Sequence, residues 1–520
     1  MGSDSLHVHG PRHALLAAAI LLAGCATVHL PADPPVPVQS YALPPAEQGF
    51  LDEYADRIEV GLGEEDSAYW LLDRGDLALR ARLALTDLAV STLDIQYFIW
   101  EPDETGRLLA QRVIRAADRG VRVRLLIDDI LLIRRDHEIV GLDYHPNIEV
   151  RVFNPWRGRN GNSVGKALEF LTRPGQLNHR MHNKIFVADN RFGIVGGRNI
   201  GNRYFGLHEA FVQNDLDVMM AGALVPEISE GFDVYWNSDA VFTGAAFVNG
   251  GDPEELFAEF EELIESVLAE GSELLQSFDH GRAGWQVQFE EFVATAEYGP
   301  GSLYYDSPRI REARPVQVYQ QLSDLIAGAE KEVLISSAYF IPNNEFCEVI
   351  RGLTERGVRV AVLTNSLATN NNPVAHTGYK YRRRAIIEAG AELYELRADA
   401  ASKDFYGTAP VSPERLGLHA KALVVDGRAA YIGSMNIDPR SINVNTELGV
   451  IAEGTGLAGK LYGLISRDMA PENAWRVTLA DTGAFRWTND QEVVSWQPAR
   501  GFKQRTTELV LDFLPLKGLL

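Results

Sequence analysis

The sequence predicts an α/β fold of two pseudo-duplicated halves. The first indication is an internal repeat at a constant offset of 237 residues: Gly120-Val121-Arg122-Val123 returns as Gly357-Val358-Arg359-Val360, and His182 returns as His419. The second is that strand-like and helix-like patterns alternate within each half. Self-similarity of this kind indicates two homologous units, and alternating strands and helices indicate an α/β sandwich in each.

Both halves show the same order of elements. In the first, a β-type run over residues 92–99 precedes a stretch with apolar residues three and four positions apart, which is typical of a helix. That helix is predicted to end at Gly120. Residues 121–127 then form a nearly continuous apolar strand, as expected where both faces are covered, and the second half repeats the pattern around Gly357.

The charge balance narrows the classes of partner. The chain has 520 residues with 71 acidic and 49 basic side chains, so its formal net charge is −22. Such a protein repels polyanions as a whole and lacks the basic surface expected of a nucleic-acid binder. An anionic substrate must therefore be met by cations placed locally.

The N-terminus has the pattern of a secreted lipoprotein. After Arg12, an apolar run over residues 14–23 has the length of a secretory h-region and is too short to span a bilayer. It ends at Leu22-Ala23-Gly24-Cys25, which resembles the lipobox of bacterial lipoproteins. We therefore expect a signal peptide over residues 1–24 and lipidation at Cys25. The alternative is an uncleaved leader with an incidental cysteine.

A lipid anchor at that cysteine would hold the protein on a bacterial membrane, facing the periplasm or the cell exterior. Ala26 stands where an aspartate would favour the inner membrane, so analogy with lipoprotein sorting leans toward the outer membrane. The only other cysteine is Cys347, so no disulfide is expected in an acylated chain.

Composition divides the rest of the chain into four segments. Residues 25–60 include a proline-rich stretch without periodicity and are predicted to be a tether. Residues 61–225 are expected to form the first half and residues 301–520 the second. Between them, residues 226–300 are acidic and helical in pattern, which predicts a helical connector.

The residues that carry chemistry recur in both halves. On a strand, positions i and i+2 share a face, so His182 and Lys184 would lie side by side as a nucleophile and a phosphate-binding cation, and His419 and Lys421 repeat the pair. One such pair is most often a solvated strand face, whereas a full set of matching residues in two copies indicates a site. The remaining motif residues are Asp189, Asn199, Asp426 and Asn436.

The spacing of these residues is that of a known signature. Both copies fit His-x-Lys-x4-Asp-x6-Gly-(Gly/Ser)-x-Asn, and in this the chain resembles the phospholipase D superfamily. Segments such as Gln96-Tyr97-Phe98-Ile99-Trp100 and Asn436-Ile437-Asp438-Pro439-Arg440-Ser441 resemble the bacterial cardiolipin synthases of the C type. The resemblance implies a phosphatidyl transferase that makes cardiolipin from phosphatidylglycerol and a second phospholipid, with phosphatidylethanolamine favoured as the donor.

The resemblance also implies that the two halves share one active site at their interface, and it implies roles for the motif residues. One histidine attacks phosphorus to form a phosphohistidine, while the other protonates the leaving alcohol and then deprotonates the incoming one. The N-terminal histidine usually attacks in relatives, which assigns His182 as nucleophile and His419 as acid and base. The motif lysines and asparagines would hold the phosphoryl oxygens. We expect Asp189 and Asp426 to brace the motifs through hydrogen bonds.

Each histidine is also expected to have a carboxylate that orients its second ring nitrogen. The candidates are Asp215 and Glu447, which stand at the start of corresponding strands after the two motifs. The alternative is that each of these carboxylates caps a strand end.

Other functions stay open at the level of sequence. A phospholipase D would hand the same phosphohistidine to water, and a phosphodiesterase acting on nucleic acid would need a basic surface that the net charge of −22 disfavours. A catalytically silent scaffold would not need two intact motifs. No nucleotide-binding glycine fingerprint or zinc-site spacing occurs, so the expected partners are membrane phospholipids, without cofactor, metal, nucleotide or nucleic acid. An accessory protein is left open.

Two further groups of residues have less specific patterns. A basic cluster could contact an anionic headgroup or could equally be a solvated helix face. Two aromatic residues near the first predicted strand of each half, four in all, are expected in the core. The cluster comprises His376, Lys380, Arg382, Arg383 and Arg384, and the aromatic residues are Tyr97, Phe98, Tyr339 and Phe340.

Overall fold

The structure, a computed structural model, describes residues 30–31, 35–159, 163–248, 250–278, 280–309 and 317–512. The predicted signal peptide and Cys25 lie outside the described residues. Within the described ranges, no helix combines the length and the apolar character that crossing a membrane would require.

The first half is a mixed sheet with helices packed against it. In chain order its elements are α1 (Phe50–Glu59), β1 (Asp66–Leu72), α2 (Gly75–Leu88), β2 (Thr92–Tyr97), α3 (Glu104–Asp118), β3 (Arg122–Asp128), α4 (Asp136–Tyr144), β4 (Ile148–Phe153), α5 (Ser163–Thr172), α6 (Pro174–Asn178), β5 (Ile185–Ala188), β6 (Phe192–Gly196), β7 (Val212–Asn214), β8 (Asp217–Gly222), α7 (Leu224–Trp236), β9 (Val241–Thr243), α8 (Pro253–Glu270), α9 (Ser272–Leu275) and α10 (Gly281–Val293).

The second half repeats this arrangement. Its elements are β10 (Glu297–Tyr305), α11 (Gln317–Ala327), β11 (Glu332–Ser337), α12 (Asn344–Glu355), β12 (Arg359–Asn365), α13 (Pro373–Glu388), β13 (Glu392–Leu396), α14 (Lys403–Tyr406), β14 (Leu416–Leu418), β15 (Lys421–Val425), β16 (Ala429–Gly433), α15 (Pro439–Asn443), β17 (Leu448–Glu453), α16 (Thr455–Asp468), β18 (Ala474–Leu479), β19 (Phe485–Thr488), β20 (Val493–Val494) and α17 (Phe502–Asp512).

The two sheets have the same strand order. The first runs β9-β4-β3-β2-β5-β6-β8-β1. The second runs β18-β13-β12-β11-β15-β16-β17-β10 and adds β19 and β20 beyond β18. In each, only the three strands joined through helices are parallel, β2-β3-β4 and β11-β12-β13, as expected for crossover connections. The predicted α/β fold of two similar halves is confirmed.

The halves are joined through backbone and core. Strand β1 pairs with β10 in antiparallel fashion, and β7 pairs with β14 in parallel fashion. One buried apolar cluster contains residues of both halves, among them Met181, Ile185, Leu416 and Leu418. Two other clusters lie within the individual halves, so each sheet is covered on both faces.

Two predicted segments differ from their expected character. Within residues 25–60, helix α1 buries Leu51 and Tyr54, and the extended stretch before it is bound by backbone hydrogen bonds from Ser40 to Asn237 Oδ1 and from Ala42 to Asp233 Oδ2. This part of the segment is packed on the first half because it has apolar residues at helical spacing. Residues 226–300 contain helices, as expected, and also strand β9 and the start of β10.

Candidate active site

The two motifs meet at the junction of the halves, because each histidine segment pairs with the backbone of the other half. The His182 amide donates to the Thr446 carbonyl oxygen over 3.0 Å, and the His419 amide donates to the Asn214 carbonyl oxygen over 2.7 Å. Thr446 and Asn214 directly precede the two candidate carboxylates in sequence. The same backbone contacts therefore bring each carboxylate to the histidine of the opposite half.

Both histidines are hydrogen-bonded to these carboxylates through Nδ1. His182 Nδ1 lies 2.8 Å from Glu447 Oε2, and His419 Nδ1 lies 2.5 Å from Asp215 Oδ2. The two carboxylates are fully buried, and the two imidazoles are nearly so. With Nδ1 engaged in this way, Nε2 is the ring nitrogen left for chemistry.

The motif lysines lie beside their histidines and are almost completely buried. Lys184 Nζ donates to the carbonyl oxygen of His182, and Lys421 Nζ donates to that of His419. Burial lowers the pKa of Lys184 to about 7 and that of Lys421 to about 8. Among the described residues, no group of three or more His, Cys, Asp or Glu side chains could hold a metal ion.

The two histidine–carboxylate pairs differ in their electrostatics. Burial raises the pKa of Glu447 to about 7. Burial acts on Asp215 in the same direction, but the attraction of His419 and a motif lysine outweighs it and holds the pKa of that carboxyl well below its usual range. Burial and repulsion by the lysines lower the pKa of His182 well below its ordinary value and that of His419 to about 4. These pKa values favour neutral imidazoles.

A serine–glycine difference is a second asymmetry between the motifs, and it acts on the pKa of Glu447 in the direction opposite to burial. Ser434 Oγ donates to Glu447 Oε2 over 2.6 Å. Gly197 occupies the corresponding position of the first motif, where a Cβ atom would lie 2.3 Å from Asp215 Oδ1. The first motif thus leaves no room for a side chain beside Asp215, whereas the second supplies Glu447 with an additional hydrogen-bond donor.

The other motif residues hold the backbone around the pairs. The Asp189 carboxylate accepts hydrogen bonds from the backbone amides of residues 90–92, and that of Asp426 accepts from the amides of residues 330–332. Asn199 Oδ1 accepts from the Ile99 amide at 3.1 Å, and Asn436 Oδ1 accepts from the Tyr339 amide at 3.4 Å. The aspartates contact backbone groups at the starts of β2 and β11.

A second pair of supporting residues was missed by the sequence analysis. Asp128 Oδ2 accepts from the Met181 amide at 3.0 Å, and Asn365 Oδ1 accepts from the Leu418 amide at 3.0 Å. Met181 and Leu418 directly precede the two histidines. The signal was present in the repeat, because Asp128 and Asn365 are 237 residues apart and end corresponding strands.

The aromatic residues near the first strands were expected in the core, and for Phe98 that expectation is wrong. The rings of Phe98 and His182 meet edge to face with centroids 4.9 Å apart, and Phe98 is only half-buried because it lies past the end of β2. Tyr204, which the sequence did not single out, contacts His419 in the same manner at 5.3 Å. The first half therefore supplies an aromatic ring to both histidines.

The basic cluster on α13 is largely covered by other parts of the second half. Arg383 forms a buried ion pair with Glu395 at 2.8 Å, Lys380 pairs with Glu508 of α17 at 3.1 Å, and His376 is fully buried. Neither alternative, headgroup contact or a solvated helix face, holds for the buried His376 and Arg383, because α17 and the strands after β18 pack over α13.

The fold and the paired motifs define a class of protein, and comparison with known proteins shows the same class. Residues 83–236 and 322–469 match the family described as "Cardiolipin synthase, PLD-like domain". The chain belongs to this family of the phospholipase D superfamily. It is 32% identical over 462 residues to cardiolipin synthase C of Escherichia coli (strain K12), covering 85% of this chain and 94% of that protein.

More distant relatives agree with this assignment. Cardiolipin synthase B of the same strain is 22% identical over 447 residues, which cover 84% of this chain and 91% of the relative. The crystal structure of phosphatidylserine synthase from Haemophilus influenzae Rd KW20 has a TM-score of 0.53 and 16% identity, covering 80% of this chain and 91% of that one. At that identity the likeness shows a common fold.

Proposed function

We propose that this protein transfers a phosphatidyl group to phosphatidylglycerol and so makes cardiolipin, with phosphatidylethanolamine as the favoured donor. The observation that carries the proposal is the pair of buried histidines, each hydrogen-bonded to a carboxylate of the opposite half and flanked by a lysine. Its relatives include a cardiolipin synthase that is 32% identical over nearly its whole length. The proposed steps use side chains of this chain and the two lipid substrates.

The reaction proceeds in two displacements at phosphorus. His182 Nε2 attacks the donor phosphodiester, the P–O bond to the headgroup breaks, and His419 gives its Nε2 proton to the departing alcohol oxygen. The neutral His419 then takes the proton of a phosphatidylglycerol hydroxyl, whose oxygen attacks phosphorus and breaks the P–N bond. Cardiolipin leaves, and His419 is again protonated for the next donor.

The asymmetry of the site supports this order of roles. Both imidazoles are mainly neutral, partly because the motif lysines repel a proton. A bound phosphodiester anion offsets that repulsion, and the proton it favours is more stable on His419, beside the firmly ionised Asp215. His182, beside a carboxyl with a raised pKa, stays neutral and nucleophilic.

The other residues of the site would bind the phosphoryl group or orient the histidines. Lys184 and Lys421 would neutralise the phosphoryl oxygens, and the amide groups of Asn199 and Asn436 would add hydrogen bonds as negative charge builds up. Asp215 and Glu447 would fix the imidazole tautomers. Phe98 and Tyr204 would restrict the tilt of the histidine rings through their edge-to-face contacts.

The same intermediate could be passed to water, so the test must separate transfer from hydrolysis. Purified protein is incubated with vesicles of phosphatidylglycerol and headgroup-labelled phosphatidylethanolamine, and the lipids are resolved. Cardiolipin with released ethanolamine is the expected result, whereas phosphatidic acid with ethanolamine would identify a phospholipase D. If the protein forms no lipid product beyond those seen with the His182→Ala variant, both functions are contradicted.

For localisation, we propose an acylated Cys25 that anchors the protein to a bacterial membrane, facing the periplasm or the cell exterior. The motivation is the sequence Leu22-Ala23-Gly24-Cys25 after an apolar run. Membrane fractions from cells carrying Cys25→Ser should lose labelled palmitate from this protein, with His182→Ala as the matched control that keeps it. Equal palmitate labelling of both variants would exclude this cysteine as the acylation site.

A further inference from the structure

The C-terminal helix α17 packs on the protein with its polar side. Glu508 Oε1 accepts a hydrogen bond from Gln497 Nε2 at 2.9 Å and lies 3.1 Å from Lys380 Nζ, while Gln504 Nε2 donates to the Leu367 carbonyl oxygen at 2.5 Å. Glu508 and Gln504 are four residues apart and therefore share one face of the helix. A surface helix normally buries its apolar face, so this helix is docked in the reverse sense.

The opposite side of α17 presents apolar residues to solvent. Phe502 is 83% exposed, Leu509 58% and Val510 61%, and the preceding Trp496 is 62% exposed. With roughly 100° between successive residues, Phe502, Leu509 and Val510 fall within a stripe about 100° wide. Exposed apolar stripes of this kind mark surfaces that another apolar phase covers. We call these four residues the apolar stripe.

The charged residues around the apolar stripe indicate what kind of surface it would bind. Lys503 and Arg505 are exposed and flank the helical part of the stripe on its two sides, and Arg500 lies between Trp496 and the helix. Of the two carboxylates of α17, Glu508 is turned inward to Lys380, and Asp512 is the last residue of the helix. Three cations thus lie around the apolar stripe, in a chain whose net charge is −22. Amphipathic helices that lie in the interface of anionic bilayers have this composition.

The helix is connected to the site through the loop after β12. Gln504 and Arg500 bond the carbonyl oxygens of Leu367 and Asn370 in that loop. The loop follows Asn365, which accepts from the Leu418 amide next to His419. A bilayer that met α17 would therefore meet the protein close to the second motif.

We propose that α17 and Trp496 form a docking surface that inserts into an anionic phospholipid bilayer beside the active site. The inference goes beyond the proposed function, since it concerns binding and not turnover. It also differs from an N-terminal lipid anchor, because α17 would set which side of the protein faces the lipid.

The test reads the local environment of α17, so other membrane contacts do not obscure it. Leu509→Cys is labelled with an environment-sensitive dye in full-length Cys25→Ser protein, where Cys347 is buried. Val287→Cys, on α10 and 60% exposed, is the matched control. Vesicles of phosphatidylethanolamine and phosphatidylglycerol should shift the emission to the blue at position 509 only. No shift at 509 in vesicle-bound protein, an equal shift at 287, or a shift without lipid through self-association would each overturn the proposal.

Charge and activity give independent arms of the same test. Lys503→Gln with Arg505→Gln should weaken binding to these vesicles about 25-fold, since each cation is worth about fivefold near an anionic surface. Phe502→Ser with Leu509→Ser should lower turnover in vesicles and leave turnover of a short-chain, monomeric phosphodiester unchanged. Val60→Ser with Val287→Ser is the control pair. An equal loss on both substrates would overturn the docking role, and the dye measurement stands even if the protein turns over no lipid.

Discussion

The two halves of the molecule bring nearly the same residues to the site but surround their histidines differently. His182 faces Glu447, whose pKa is raised to about 7 by burial even though the hydrogen bond from Ser434 favours its ionised form. His419 faces Asp215, whose pKa is held well below its usual range. Duplication therefore supplies a symmetric frame, and the residues behind the histidines make it asymmetric. This difference provides a physical reason for a division of roles.

The largest expected effect separates the two histidines. His182→Ala and His419→Ala should each lower lipid turnover by about 10⁴-fold or more, because they act as one unit across both steps. A phosphodiester with a p-nitrophenol leaving group needs no general acid, so His419→Ala should recover a burst of nitrophenol with that substrate and His182→Ala should not. A burst from His182→Ala alone would reverse the assignment.

The next effect concerns the two carboxylates. Asp215→Asn should lower kcat by about 10²–10⁴-fold, since it removes the charge that stabilises a protonated His419. Glu447→Gln should cost less, about 10-fold to 100-fold, because Glu447 orients an imidazole that stays neutral until it attacks. The two variants are compared by kcat under saturating substrate. A greater loss in Glu447→Gln than in Asp215→Asn would mean that the roles are exchanged.

A smaller effect is expected where the motifs differ. Ser434→Gly copies the first motif into the second and removes a hydrogen bond to a carboxylate, which should lower activity about 10-fold at unchanged fold. Gly197→Ser makes the reverse change and should also lower the melting temperature, because its Cβ would lie 2.3 Å from Asp215 Oδ1. Activity and thermal unfolding are measured together. Full activity in Gly197→Ser would show that Asp215 can move without cost.

The smallest effect is a pH dependence set by the lysines. A lysine is charged below its pKa, and burial lowers the pKa of Lys184 to about 7 and that of Lys421 to about 8. Affinity for an anionic phosphodiester should therefore be full below pH 7 and decline as pH rises through 7 to 8. The profile of kcat/KM, which reports the free enzyme, should show this alkaline fall. A profile that stays flat to pH 9 would contradict the lowered pKa values.

Much of the fold and of the site could be predicted from the sequence, because the internal repeat contains both the pattern of strands and helices and the motif residues. Strand β3 begins and ends within a residue of the predicted run over residues 121–127, since a continuous apolar stretch has few other ways to be buried. The motif residues could be found because two copies in register are hard to explain otherwise. Asp128 and Asn365 were missed although they obey the same offset, because strand-end polar residues are common.

The sequence by itself determined the two-half α/β architecture and the family. It also identified His182, Lys184, His419 and Lys421 as the histidines and lysines of the two repeated motifs. Only the tertiary structure decided that each histidine takes its carboxylate from the other half, because that pairing depends on backbone contacts across the junction. It also decided that α17 presents its apolar side to solvent. From the sequence alone, the apolar residues of α17 would equally fit a buried stripe. The polar contacts of Glu508 and Gln504 decide which side of the helix faces the protein.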